Sequence, residues 1–291
     1  MKALLLHVGA DQSNFNTIGV NGPVFPNNKF EFIPIIEFMT DGHYIEKIDD
    51  EYIVKNKYDE ISEEALWTTE KRIYSAVNAY NQEYGRKLSD FLPNDFDNIV
   101  MHFDPDFDFF TYGDRIETSK GAQIGKLEPG DYLFFVSSLV PYNEDAYDQR
   151  DWNKIRRYQR KKMAKYLIGK FKVQASFQAI KACDSEIPVL YEYEDEDVSE
   201  SIERKMMTRI LHNAHSKRDD DIYYLIVGDE QESCLLDRAI RLSENGSPFR
   251  PSEYGKQIYG DVTFPRGFKW ITDEKKIHHT LGLIKKHSGG T

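Results

Sequence analysis

Gly130-Asp131-Tyr132-Leu133-Phe134-Phe135-Val136 decides the fold class. A Gly-Asp turn opens directly into an apolar run that is aromatic and β-branched, too short for a helix and suited to a buried strand. Further on, Leu167-Ile168-Gly169-Lys170-Phe171-Lys172-Val173 reads as another strand. Working outward, the same chemistry recurs over Ala3 to Val8, Phe30 to Ile36, Ile99 to Phe103, Ile187 to Tyr193 and Ile222 to Val227, each bounded by Gly, Pro, Asp or Asn. Helical periodicity is rarer. It predicts one helix through Val198, Ile202, Met206 and Ile210, and a second through Leu235, Leu236, Ala239, Ile240 and Leu242 ending near Asn245-Gly246. A third is predicted over Glu70 to Tyr80. Strands in clusters with helices inserted irregularly imply α+β: a mixed, mostly antiparallel sheet with peripheral helices.

The 291 residues carry Lys+Arg 38 against Asp+Glu 49, a net charge of -11, with 40% hydrophobic residues. That composition excludes a disordered chain, and no run approaches the roughly 18 apolar residues of a membrane span. The two cysteines, Cys183 and Cys234, have no metal-ligand spacing, and the polar turn after Val8 is unlike a signal peptide. A reducing cytoplasm is the expected compartment. No repeat or low-complexity linker divides the chain, so residues 1–291 read as one unit.

The densest chemistry lies in Met101-His102-Phe103-Asp104-Pro105-Asp106-Phe107-Asp108-Phe109-Phe110-Thr111-Tyr112-Gly113-Asp114-Arg115. In extended backbone His102, Asp104 and Asp106 project to one face, because side chains alternate with period two. An imidazole with carboxylates suits a divalent ion or a general base with its orienting partner. The string lacks the specificity of a closed Cys/His site, and no metal is expected. The competing reading is a turn at Asp104-Pro105 over an aromatic core, with Asp114 and Arg115 as a local ion pair.

Between Arg150 and Lys172 the chain turns strongly basic. At about 100° per residue, Arg150, Lys154, Arg157, Lys161 and Lys165 form one stripe, opposite Trp152, Ile155, Met163 and Tyr166. On an acidic protein such a ridge suits phosphate contact; its plainer use is to answer the acidic loops beside it. His212 and His215, followed by Lys217 and Arg218, sit where cations cap a helix C-terminus, and Ser233 reads as a helix-start cap.

Several of these segments together resemble a known family. They are Lys2 to Asp11, Pro23-Val24-Phe25 with Phe30 to Glu37, His102-x-Asp104-Pro105 through Asp114, Leu127-x-x-Gly130 to Phe135, Tyr166 to Val173, and Val227-Gly228-Asp229 to Leu236. The family is the third of the nucleotide modification associated domains, found in bacteria, archaea and phages near genes for modified bases. The Gly-Asp turn and its following strands are also similar to PUA-like barrels, which implies a barrel core around 127–193. What the resemblance implies is recognition of a nucleotide or a nucleic-acid base, in a base-modification or phage-defence setting. No cofactor and no assigned reaction come with it. The implied catalytic positions are His102, Asp104 and Asp114. The implied substrate-binding positions are Asp11, Glu37, Asp106, Phe107, Phe110, Thr111 and Tyr112, converging on one cleft with aromatic walls for a stacked base. Nucleic-acid contacts fall to the cationic stripe, and phosphate binding by His215, Lys217 and Arg218 stays open beside capping. Two other classes remain beside this reading: a hydrolase or transferase of free nucleotides, and a non-enzymatic protein whose ridge meets an acidic partner.

Overall fold

The computed structural model describes residues 1–8, 21–33, 35–36, 45–48, 51–54, 67–68, 91, 100–102, 105–147, 152–180, 189–191, 206, 209–210, 213, 222–263 and 267–288. Strand β1 is Ala3–His7 and β2 Gly22–Val24. The short strands β3 Ile35–Ile36, β4 Ile45–Ile48, β5 Glu51–Val54, β6 Trp67–Thr68 and β7 Val100–His102 follow. Then come β8 Thr111–Arg115, helix α1 Gly121–Ile124, β9 Tyr132–Pro141, α2 Glu144–Tyr147 and α3 Trp152–Lys162. The long β10 is Ala164–Ile180, followed by β11 Val189–Tyr191, β12 Ile222–Gly228 and β13 Cys234–Arg241. The chain closes with β14 Ser243–Glu244, β15 Ser247–Pro251, α4 Glu253–Tyr259, β16 Phe268–Ile271 and α5 Glu274–His287.

The fold is α+β, around a mixed and mostly antiparallel sheet. Its main path runs β16-β1-β9-β10-β12-β8, with β2 on β9 and with β11 and β13 on β10. Among the described residues the parallel pairings are those of β1 and β2 with β9, while β1 pairs antiparallel with β16 on its other side. The sheet is open, with β16 and β8 at its ends, so the expected barrel does not close among the described residues. The 17-residue β10 accounts for this. Its first half pairs with β9 and β13 and its second with β12 and β11, and bulges at Leu167/Gly169 and Val173/Ala175 bend it between the two.

The core lies on both faces of the central strands. Every residue from Tyr132 to Val140 is buried, as are Leu4, Leu5 and Leu6, because the sheet is covered on each side. Phe135 and Phe171 meet edge to face with centroids 4.6 Å apart, and Phe107 stands 5.4 Å from each. Gly169 makes room for that ring, since a Cβ there would fall 2.4 Å from Phe107 Cε1.

Two expected elements differ. The helix predicted over Leu235 to Leu242 is strand β13. Cys234 and Leu235 pair with Lys170 and Gly169, and Ile240 and Arg241 pair with Leu167 and Tyr166. The residues between bulge away from β10, and Ala239 N donates to Asn28 O at 2.8 Å. That bulge breaks the period of two and leaves apolar positions spaced as on a helix. The basic helix stops at Lys162, and Lys165 lies in β10. Of the helix expected through Val198 to Ile210, the described residues Met206, Arg209 and Ile210 are helical; the one over Glu70 to Tyr80 lies outside the described residues.

Candidate functional site

The sheet has a break along one edge of β9, and buried polar side chains gather there. β1 follows β9 as far as His7 opposite Val136, and Val8 N donates to Val136 O at 2.8 Å. The next partner on β9 is Gly22, opposite Leu139. Ser137 and Ser138 therefore sit between the end of β1 and the start of β2. Gly22 is required by close approach, since a Cβ there would lie 1.9 Å from the carbonyl oxygen of Glu31. On β10, Lys165 stands opposite Ser138.

Three adjacent strands thus bring His7, Ser138 and Lys165 together, each less than a tenth exposed. Lys165 Nζ is 2.7 Å from His7 Nε2 and donates to Ser138 Oγ at 2.8 Å. The third side of the triangle, His7 Nε2 to Ser138 Oγ, is 3.1 Å. An amine and an imidazole nitrogen bond when one of them offers a lone pair to the other's N–H. Ser138 carries a hydroxyl within reach of that base. The site lies at the carboxyl end of β1, beside the stretch of β9 that lies between its pairing with β1 and its pairing with β2.

A second lysine reaches the same strand end. Lys120 Nζ donates to His7 O at 2.7 Å. Its position follows from the turn after β8. Tyr112 Oη donates to Asp114 Oδ2 at 3.3 Å, Thr118 Oγ1 donates to Asp114 Oδ1 at 2.8 Å, and Gly121 N donates to Thr118 Oγ1 at 2.8 Å. Asp114, which the sequence marks, thereby supports the turn that delivers Lys120. Nearby, Glu31 is fully buried and neither carboxylate oxygen has a hydrogen-bond partner. Burial pushes its carboxyl well above the usual range by disfavouring the charged form.

The other residues marked by sequence are distributed as follows. Asp11, Glu37, Asp104, Arg150, His215, Lys217 and Arg218 lie outside the described residues. His102 stands in β7 opposite Ile35, in a small sheet with β3 and β6. Asp106 is buried, and its Oδ1 accepts from the backbone N–H groups of Asp108 and Phe109 at 2.9 and 3.2 Å. Thr111 exchanges backbone bonds with Asp106, and its hydroxyl accepts from Asn213 Nδ2 at 3.1 Å. Phe107 and Tyr112 are buried in the aromatic core and half-buried Phe110 packs edge to face on Phe171. These side chains hold the turn together.

On α3, Lys154 is half-buried and donates to Asp145 O at 2.9 Å, while Arg157 and Lys161 are exposed. Lys165 leaves this stripe for the sheet interior because the helix ends before it. Ser233 immediately precedes β13 and not a helix, and its hydroxyl accepts from Lys172 N at 3.2 Å. Among the described residues, no cluster of three His, Cys, Asp or Glu is gathered as a metal ion needs.

His7 and Glu31 lie within segments that carry the family resemblance, but neither they nor Ser138 are among the candidate site residues read from the sequence. Their signal is a polar residue inside an apolar strand run: Leu6-His7-Val8, Val136-Ser137-Ser138-Leu139 and Phe30-Glu31-Phe32. Arg209 has a structural signal only. Its guanidinium donates to Phe109 O at 2.7 Å, to Gly228 O and to Gln174 Oε1 at 3.2 Å, fastening the aromatic turn to β10 and β12.

No curated protein and no solved structure matches the chain. Residues 2–253 match a family model, a span that takes in the break in the sheet, the His7–Ser138–Lys165 triangle and the turn that carries Lys120. With most of its length so matched, the chain belongs to the family described as nucleotide modification associated domain 3.

Proposed function

We propose that the protein recognises a nucleotide, or a base within DNA or RNA, in a base-modification or phage-defence setting, acting as one unit in the cytoplasm. The observation that carries this reading is the convergence of Lys165, Lys120, His7 and Ser138 at the end of β1. On a chain of net charge -11, two lysines brought to one strand end favour an anionic ligand. Imidazole and hydroxyl supply directional partners beside them. The family gives the ligand its class.

The test is nucleoside mass spectrometry on cells with and without the gene, together with incubation of purified protein with nucleotides and with single- and double-stranded oligonucleotides. The expected result is saturable binding of a nucleotide or oligonucleotide and a changed level of one nucleoside. Binding that persists unchanged when Lys120 and Lys165 are replaced by Met would remove this strand end from the site. Absence of binding and an unchanged nucleoside profile would sink the reading itself.

A further inference from the structure

We propose that Ser138 is a nucleophile toward the phosphoryl group of a nucleotide, activated by the His7–Lys165 pair. This rests on the nucleotide reading above and assigns its chemistry.

The geometry has the parts a hydroxyl nucleophile needs: a base in hydrogen-bond reach and a second group that orients the base. Ser138 Oγ lies 3.1 Å from His7 Nε2 and 2.8 Å from Lys165 Nζ, and the two nitrogens are 2.7 Å from each other. All three side chains rise from neighbouring strands whose register is fixed, His7 opposite Val136 and Ser138 opposite Lys165, so the arrangement is preorganised. Lys120, bonded to the carbonyl of His7, adds a second positive charge at the same end.

Charge selects the electrophile. Lys165 and Lys120 favour an electrophile that carries negative charge. A phosphoryl group carries that charge before the reaction begins, and a neutral ester does not. The step balances as follows. The Ser138 Oγ–P bond forms while the P–O bond to the leaving group breaks, and the serine proton passes through the pair to the leaving oxygen. Water then attacks phosphorus, giving its proton to the pair, and phosphate leaves as the serine hydroxyl is restored.

A fluorophosphonate probe tests the nucleophile without a nucleotide, because attack expels fluoride and leaves a stable adduct. Intact-mass measurement with peptide mapping should find one adduct on Ser138, absent from Ser138→Ala, whose thermal unfolding should stay cooperative. Lys165→Met should slow labelling about 100-fold, the lower end of what a positioned base contributes. If that variant does not fold, His7→Gln gives the same reading while keeping a neutral hydrogen-bonding group. A mixture of nucleoside monophosphates should slow labelling by competition. No adduct on Ser138 in a protein that still binds nucleotides overturns the nucleophile and leaves the nucleotide reading standing. Labelling of Ser138 that no nucleotide slows keeps the nucleophile and overturns the nucleotide as its substrate.

Discussion

Lys165 Nζ and His7 Nε2 lie 2.7 Å apart inside the sheet, on strands that are not neighbours. β9 runs between them and supplies Ser138 as the third member. Removing the amine takes a hydrogen-bond donor away from His7 Nε2 and Ser138 Oγ, and a bond of this kind contributes about 0.5–1.5 kcal/mol. Lys165→Met should therefore lower unfolding free energy by about that much with little change in denaturant slope. A change within about 0.5 kcal/mol, the range of an ordinary surface substitution, would show that the triangle is not formed in solution.

Glu31 gives a prediction with a sign. Its folded-state carboxyl is raised by burial, so the folded state binds a proton that the unfolded state releases once pH passes the ordinary carboxyl value. Stability therefore falls as pH rises above that value, by at most about 1.4 kcal/mol per pH unit, and the loss continues up to the folded-state pKa. Glu31→Gln removes the titration. The variant should match the parent near pH 4 and exceed it in stability at pH 7, measured by denaturant unfolding at both. Parallel pH profiles would show that Glu31 finds a partner or water in solution.

The strands were legible because buried strands announce themselves by aromatic and β-branched runs between turn residues. The centres of β1, β9, β10 and β12 fall where Ala3 to Val8, Tyr132 to Val136, Leu167 to Val173 and Ile222 to Val227 put them. What was hidden is non-local. A bulge held by Asn28 gives β13 a helical spacing of apolar residues. No Gly or Pro separates α3 from β10, so a helical wheel carries Lys165 past the true end of the helix. The triangle joins residues 7, 138 and 165, and only the pairing of β1, β9 and β10 brings them within bonding distance. Asp114 was legible as a turn residue, whereas its link through Thr118 to Lys120 needed the fold.

Phe107 separates core from pocket wall. Its ring is buried and meets Phe32, Phe135 and Phe171 at 6.1, 5.4 and 5.4 Å. Phe107→Ala should cost about 3–5 kcal/mol of stability, as a buried aromatic truncation does. Gly169→Ala, which drives a methyl toward the same ring and toward Cys234 O at 2.9 Å, should cost about 1–3 kcal/mol by overpacking. The check is equilibrium unfolding of both variants. A Phe107→Ala protein of parental stability that loses only ligand binding would return this ring to the site.

The basic face of α3 can be divided by what already explains each charge. Arg160, Lys161 and Lys162 occupy the last turn, where cations answer the negative end of the helix dipole. Lys154 is tied to Asp145 O. Arg157 lies before the last turn and is exposed, and its Nε donates to Asn153 O in its own helix at 3.2 Å. Its charge has the least structural explanation, which makes it the diagnostic residue for phosphate contact. The helix docks through other groups, buried Ile155 and Gln159 and the Tyr158 hydroxyl donating to Pro141 O at 2.9 Å, so Arg157→Glu with Lys161→Glu should leave stability within about 0.5 kcal/mol. If both side chains meet phosphates, binding to duplex DNA should weaken, and the slope of log affinity against log salt should flatten by about 1.8, or about 0.9 per contact. A flattening of half that size would assign the contact to one residue, and Arg157→Glu alone should then reproduce it. Unchanged slope and affinity would make the stripe a solvated face, leaving nucleotide recognition to the end of β1.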